Sequence, residues 1–385
     1  MNQNTVLSLY EKIEALVRRL PGPLQKAVSE ELSPLKQIFL TQRPARLVLL
    51  GQAAASPEQL FSALFNCRLD VSNLTSPNAW LNFHHRGLGG FRLMDARRLS
   101  DTSHSWRELE TALSQEQPDE LLFLVDGSRD FDLALECEQA TRIVELCNRR
   151  YQASPPLIGV LDFPAGLDER TRSQRKLQFQ AWLDGQPQFK QAFVRVLDVC
   201  SFARFRQDGT LDTERDERRN IDELAELLVR ELPPEAQVEL ARLLRVKSVQ
   251  KQTAQRLVRS MTAISAAIGA QPIPLADFPI LTGLQVAMVA GVMYLGGREL
   301  SVRSAAEFCA AMGTNISVAM VLRETVRAAV KIIPGWGNAI SGGVAATGTY
   351  AIGRAATEVF VEGKALADAR RLLQRFRRKS NDRGK

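Results

Sequence analysis

Few side chains of this sequence suit a metal site or a nucleophilic catalyst. It has three histidines and five cysteines, and no two cysteines have the Cys-x-x-Cys spacing of zinc and redox sites. It also lacks the His-Glu-x-x-His motif of metalloproteases and the Gly-x-Ser-x-Gly elbow of hydrolases. We therefore expect no catalytic residue, no metal site and no disulfide framework, and the scattered cysteines fit a reducing cytosol.

Charged residues are almost missing from two segments of the C-terminal third. Residues 260–297 carry one charged side chain, Asp277, and residues 332–353 carry none. From Gln237 to the end there are 21 Lys and Arg against 9 Asp and Glu, whereas the preceding residues have 29 against 34. This segregation predicts an acidic front part and a basic back part that docks to an anionic surface.

The N-terminal residues 1–42 form a separate region. Apolar residues recur at helical spacing over residues 5–40, with an interruption at Pro21-Gly22-Pro23, which predicts amphipathic helices whose apolar side packs on a neighbouring domain. The first residues alternate charged with apolar side chains and contain no signal-peptide core. We therefore expect the bulk of the chain to be cytoplasmic.

Residues 43–234 alternate short apolar runs with helical segments. This pattern predicts an α/β domain with a doubly wound parallel sheet and a ligand crevice at the carboxyl ends of its strands. The pair Pro233-Pro234 ends the predicted domain, and an all-α domain with a basic tail follows over residues 235–385, beginning with a predicted helix over Gln237–Ser260. The predicted strands are Arg46–Leu50, Trp80–Phe83, Phe91–Asp95, Leu121–Asp126, Leu157–Leu161 and Phe193–Val199. The predicted helices between and after them are Pro57–Phe65, Ser105–Ser114, Phe131–Arg150, Arg170–Gly185 and Asn220–Leu232.

The loop after the first predicted strand has the position of a phosphate-binding loop without its chemistry. A working loop reads Gly-x-x-x-x-Gly-Lys-Ser/Thr, where backbone N–H groups surround the phosphates and the Lys bridges them. Counted from Gly51, the second Gly, the Lys and the Ser/Thr are replaced by Ser56, Pro57 and Glu58. The vestigial nucleotide site would comprise Gly51, Gln52, Ser56 and Asp95.

The other nucleotide motifs are altered in the same way. Asp95-Ala96-Arg97-Arg98 stands where a GTPase has Asp-x-x-Gly. The chain then reads Asp162-Phe163-Pro164-Ala165 in place of Asn/Thr-Lys-x-Asp, and Cys200-Ser201-Phe202 in place of the Ser-Ala turn. Strand by strand, residues 43–234 resemble the G domain of an Era-like GTPase with eroded motifs. An unrelated doubly wound fold of the same periodicity is the alternative.

The C-terminal third contains three short motifs rich in Pro and Gly that are recognisable. Pro272-Ile273-Pro274, Pro334-Gly335-Trp336-Gly337 and Thr349-Tyr350-Ala351-Ile352-Gly353 resemble segments of the YcjF-like domain of unknown function. In bacteria that domain is often fused behind an Era-like GTPase. The resemblance, from about Lys247 to about Phe376, implies a helical, membrane-associated module and supports the G-domain interpretation.

The uncharged segments allow two arrangements, a soluble helical bundle and a membrane-inserted hairpin. Ile280–Gly297 is close to the minimum of about 18–20 residues needed to cross a bilayer, whereas Ile332–Gly353 is rich in Gly and suits close helix packing. Basic residues flank these segments and favour an anionic membrane surface. The predicted docking residues are Arg242, Arg245, Lys247, Lys251, Arg256, Arg259, Arg375, Arg377, Arg378 and Lys379.

Together these patterns predict a pseudo-GTPase that needs no cofactor and acts as an interaction scaffold. It would dock to the inner membrane or to a membrane complex, as a peripheral or integral component, and could self-associate. One alternative is a switch protein that binds GTP with Mg²⁺ weakly, and another is a soluble basic adaptor for nucleic acid or the ribosome. Nucleic acid is disfavoured because aromatic residues are scarce among the basic ones.

Overall fold

The computed structural model describes residues 41–69, 79–85, 88–97, 103–269, 277–312 and 342–371, together with part of 11–32. The chain divides into two compact units. One unit is Arg43–Val246, and the other combines Met1–Gln42 with Lys247–Lys385. The predicted domain ended at Pro234, whereas the compact unit continues for one further helix.

The unit Arg43–Val246 is built on a six-stranded sheet with the order β2-β3-β1-β4-β5-β6. The strands in the middle are almost wholly buried: all but the last residue of β4, for example, are inaccessible to solvent. Burial of successive residues means that both faces of the sheet are covered. The strands are β1 (Ala45–Gly51), β2 (Leu81–His85), β3 (Gly89–Asp95), β4 (Glu120–Asp126), β5 (Leu157–Asp162) and β6 (Phe193–Val199).

Helices connect the strands at the predicted places. The structure therefore confirms an α/β fold, with helical residues before it in the chain and a helical region after it. The helices of this unit are α1 (Pro57–Phe65), α2 (Ser103–Gln115), α3 (Ala134–Tyr151), α4 (Glu169–Asp184), α5 (Ile221–Glu231) and α6 (Pro234–Leu243).

The sheet is mixed, and not wholly parallel as predicted. Five strands run parallel to one another: β3, β1, β4, β5 and β6. The edge strand β2 pairs antiparallel with β3, with Phe83 opposite Phe91 and His85 opposite Gly89. The connection between β2 and β3 has no room for a crossover helix, so the two strands form a hairpin.

The helix α6 belongs to the sheet unit because it packs on β3 and β1. At its start, the backbone N–H of Arg43 donates to the carbonyl oxygen of Glu235 at 2.9 Å. The Arg43 guanidinium also makes a bidentate contact with Asp119, with N–O distances of 2.6 and 2.7 Å. These contacts fasten both ends of the unit to the edge where β1 and β4 begin.

The second unit contains a helical bundle of α7 (Lys247–Gly269), α8 (Asp277–Leu295), α9 (Val302–Ala311) and α10 (Gly342–Phe360). The described residues between 11 and 32 are mostly helical, and Val17, Val28 and Leu32 among them are buried. The first 10 residues of the uncharged segment 332–353 lie outside the described residues, and the others are in α10.

The uncharged segment 280–297 lies almost entirely in α8, and its large side chains are buried against neighbouring helices. Leu284, Met288, Val289 and Val292 are at most 2% exposed, and α8 packs on α7, α9 and α10. A helix that is apolar on all sides suits a bundle core as well as a bilayer. No helix in the described part of the chain has the length and hydropathy to cross a membrane.

Candidate functional site

The loop after β1 starts with two residues that are fixed by β4. Gly51 has a φ of +98°, and a Cβ there would lie 2.2 Å from the carbonyl oxygen of Leu124, so only glycine fits. The N–H of Gln52 donates to the same oxygen at 2.9 Å. The side-chain oxygen of Gln52 accepts from the N–H of Asp126 at 3.0 Å. The loop is therefore held to the neighbouring strand by backbone and side chain together.

The end of this loop is a capped helix start whose residues disfavour a phosphate. The Ser56 hydroxyl accepts from the N–H of Gln59 at 3.3 Å, and Pro57 occupies the first turn of α1. Serine capping and proline at the first position are both favourable for a helix start. However, proline has no N–H, and Glu58 adds a negative charge where a phosphate would need a positive one.

The guanidinium of Arg97 lies inside the loop. Its Nε and Nη2 atoms contact the two carboxylate oxygens of Asp95 at 2.8 and 2.7 Å. Its Nη1 donates to the carbonyl oxygen of Ala55 at 2.6 Å and to that of Gln52 at 3.3 Å. The Arg97 side chain is only 2% exposed. One buried cation thus joins the loop to the end of β3.

The four predicted site residues lie close together, but the polar groups of Gln52 and Asp95 are bonded within the protein. Gln52 presents its carbonyl oxygen, and not its N–H, to the centre of the loop, and the Asp95 carboxylate is neutralised by Arg97. A phosphate cradle needs converging N–H donors, and a Mg²⁺ site needs a free carboxylate. The arrangement around Arg97 is that of a closed structural contact.

The ends of β5 and β6 are joined in a comparable way. The Asp162 carboxylate accepts from both the N–H and the hydroxyl of Ser201, with the N–H at 2.9 Å. Burial raises the pKa of Asp162 to about 6, and the hydrogen bonds of Ser201 offset part of this rise. These two residues lie in the two segments compared above with guanine-specificity motifs. Asp168 is an exposed N-cap of α4 and accepts from the N–H of Thr171 at 2.9 Å.

The predicted basic docking row is not a single surface. Arg242 is 2% exposed, so the prediction that it faces an anionic surface is wrong. The helix predicted over residues 237–260 breaks after α6, where Arg245 has a φ of +56°, and the two parts belong to different units. Arg245 is exposed, whereas Lys251 makes an ion pair with Glu362 at 2.7 Å.

Three exposed basic residues remain on α7: Lys247, Arg256 and Arg259. A helix turns about 100° per residue, so Arg256 and Arg259 lie about 60° apart, while Lys247 points away from Arg256. The other predicted docking residues, Arg375, Arg377, Arg378 and Lys379, lie outside the described residues.

Sequence reasoning missed Arg97 as a site residue. The sequence places two arginines directly after Asp95-Ala96, and the altered Asp-x-x-Gly motif drew attention to the second. Arg97 is two residues from Asp95 and follows a buried strand. This spacing could have indicated that the two side chains form a bidentate ion pair.

No family model matches this chain, and no curated protein matches it. Among solved structures, the chain is similar to that of Toc33 from Arabidopsis thaliana in complex with Mg²⁺ and GMPPNP. The two are 14% identical, and the match covers 59% of this chain and 95% of Toc33 with a TM-score of 0.33. At this level of similarity, no residue role is carried over from that protein.

Proposed function

We propose that this protein is a GTPase-like interaction scaffold that neither binds nor hydrolyses GTP. The observation that carries the proposal is the buried Arg97 guanidinium, which occupies the loop after β1 and pairs with Asp95. To admit a phosphate, the chain would have to break a bidentate ion pair and leave the mostly buried Asp95 carboxylate without its partner. Breaking a buried pair by losing one partner typically costs about 3–5 kcal/mol.

A second line of support is the absence of the groups that perform phosphoryl transfer. Positioning and charge stabilisation supply nearly all of that catalysis, through a phosphate-bridging Lys, a hydroxyl on Mg²⁺ and a free aspartate. In this chain Pro57 and Glu58 replace the first two, and Asp95 is paired. The α/β unit then serves as a folded platform for a protein partner.

The helical unit would supply the attachment. We propose that it is a YcjF-like module that docks, from the cytoplasmic side, to an anionic membrane or to a membrane complex. The positive charge of the chain after Gln237 supports this, as do the exposed Arg256 and Arg259 on α7. The burial of α8 within the bundle favours peripheral docking over insertion of that helix.

Calorimetry with GTP, GDP and ATP, each with Mg²⁺, tests the central claim. We expect no saturable heat with millimolar nucleotide. The matched variant is Arg97→Gly, which empties the loop while Pro57 and Glu58 stay in place; we expect it to bind no better than the millimolar range. Micromolar binding of any of the three nucleotides by the unaltered protein would overturn the proposal and favour the switch alternative.

A further inference from the structure

The bundle contains a small cleft between α7 and α10, which includes the predicted docking residue Arg259 but was not predicted as a binding site. Its volume is about 110 Å³. Val258 and Thr357, each 1% exposed, form its floor, and Tyr350 at 37% exposure lies at its rim. Its lining residues are Gln255, Val258, Arg259, Tyr350, Arg354 and Thr357.

The cleft brings together two arginines from different helices. Arg259, on α7, is exposed and makes no ion pair or hydrogen bond within the described part of the chain. Arg354, on α10, reaches Glu358 only at 3.9 Å, and that carboxylate is closer to Lys364, at 3.4 Å. Two arginine side chains therefore line one cleft, and neither makes an ion pair shorter than 3.9 Å within the described part of the chain.

Close packing of the helices fixes the spacing between these residues. A Cβ at Gly353 would lie 2.6 Å from both methyl groups of Val258, so the backbone of α10 can approach α7 only because position 353 is glycine. The Thr357 hydroxyl donates to the carbonyl oxygen of Gly353 at 2.8 Å and is held in place. Val258 and Gly353 are the chain neighbours of Arg259 and Arg354, so this close contact fixes the separation of the two arginine backbones.

The size and chemistry of the cleft define its ligand class. Pockets for cofactors and drug-sized ligands have volumes of about 300–1,000 Å³, which excludes a nucleotide as the enclosed group. Arginine pairs bind carboxylates and phosphates through several charge-assisted hydrogen bonds, and the amide of Gln255 adds a further donor. A tetrahedral anion carrying two charges matches two guanidinium groups better than a singly charged carboxylate does.

We propose that the cleft between α7 and α10 binds a phosphate monoester or inorganic phosphate through Arg259 and Arg354. The site does not depend on the scaffold function. Arg259 is also one of the cations proposed for membrane docking, so titration with inorganic phosphate in the absence of vesicles tests the cleft separately. The group could belong to a free metabolite or to a lipid headgroup, and the chemistry of recognition is the same.

Titration of the full-length protein with inorganic phosphate, in a chloride buffer of constant ionic strength, tests the site. We expect saturable binding that Arg259→Gln and Arg354→Gln each weaken by about tenfold or more, since hydrogen bonds to charged groups are lost. The matched control is Arg256→Gln, which removes an exposed charge from the same helix outside the cleft, with an expected change of less than about twofold. Arg259→Gln removes no contact of the described chain, so its effect is separable from misfolding.

Two further probes distinguish the source of the phosphate. Tighter binding of glycerol 3-phosphate than of phosphatidic acid vesicles would support a soluble ligand. Binding to phosphatidic acid vesicles that is stronger than to phosphatidylglycerol vesicles of equal charge, and that free phosphate displaces, would support a headgroup. The proposal is overturned if no probe binds, or if Arg256→Gln weakens phosphate binding as much as Arg259→Gln does.

Discussion

Glu120 is the most deeply buried acid of the sheet unit. It begins β4, is 0% exposed, and neither of its carboxyl oxygens has a hydrogen-bond partner in the described structure. Burial raises its pKa well above the usual value of 4.5, and the nearby acids Glu231 and Asp119 raise it further. An ionised carboxylate in this position would be costly, so burial favours the neutral acid of Glu120 in the folded protein.

This protonation predicts a stability that depends on pH. The folded protein binds a proton that the unfolded chain releases above pH 4.5, so the free energy of unfolding should fall as the pH rises above that value. We expect Glu120→Gln to remove this dependence, with a stability gain over the unaltered protein that grows from pH 5 to pH 8. Urea unfolding at several pH values measures it.

Glu116 supplies a control of opposite sign for this experiment. Its ion pair with Arg92 lowers its pKa, and so its contribution to stability is present at neutral pH and is lost on acidification. Glu116→Gln should therefore destabilise the protein most at pH 7 and least near pH 3. A gain from Glu120→Gln that is the same at every pH would show that Glu120 is not held as a neutral acid.

The loop after β1 shows which features of the vestigial site could be predicted from single residues. The loss of the bridging Lys and of the Mg²⁺-binding hydroxyl is visible in the sequence, because Pro57 and Glu58 replace them. That the loop is filled, and by Arg97, depends on the direction of one side chain after β3. The pair with Asp95, two residues earlier, is local, but the hydrogen bonds that place the guanidinium inside the loop are made to two carbonyl oxygens 42 and 45 residues earlier.

At the level of elements, strong local patterns predicted boundaries well. The helix α1 spans Pro57–Phe65 as predicted, because Ser56 caps its start and Asn66, with a φ of 56°, ends it. The strand β6 spans Phe193–Val199 as predicted. The break between α6 and α7 was missed because Leu244, Arg245 and Val246 continue the helical spacing, while tertiary packing places Arg245 at a positive φ.

The helices of the bundle are joined by a buried polar network. The Thr349 hydroxyl of α10 donates to the Ser265 hydroxyl of α7 at 3.0 Å and accepts from the Gln285 amide of α8 at 3.2 Å. Thr349 and Ser265 are both 0% exposed. Because buried polar groups need partners at fixed places, this network specifies the relative register of three helices.

Removing the central hydroxyl should be costly. We expect Thr349→Val to destabilise the protein by about 1–3 kcal/mol, since Ser265 and Gln285 lose a partner inside the bundle. The matched control is Ser248→Ala, which removes a hydroxyl at an exposed position of α7, with an expected change within about 0.5 kcal/mol. Thermal unfolding of both variants measures the two changes in stability. Equally small changes would mean that the polar network does not stabilise the bundle.

At the scale of the whole molecule, the charge is divided between the parts of the chain. The residues before Gln237 carry a small excess of acids, and those from Gln237 on have 21 basic residues against 9 acidic ones. The sequence predicts this division of charge, but it does not predict which of the basic residues are exposed and unpaired. Burial of Arg242 and pairing of Lys251 reduce the predicted row to fewer free cations.

The remaining exposed cations give the last prediction, on membrane docking. Each Lys or Arg near an anionic bilayer contributes about 1 kcal/mol, so the double variant Arg256→Gln with Arg259→Gln should bind vesicles containing anionic lipid roughly 30-fold more weakly. Flotation at low salt measures this difference, which should shrink at high salt because the charges are screened.

The matched control carries the same change of charge in the sheet unit. Arg142 and Arg230 are exposed there and pair with acids four residues before them in the sequence, so Arg142→Gln with Arg230→Gln should leave vesicle binding nearly unchanged. Equal losses for the two double variants would mean that net charge, and not α7, determines docking. Full-length protein that fails to float with anionic vesicles even at low salt would refute attachment to the lipid surface and leave a membrane protein complex as the docking partner.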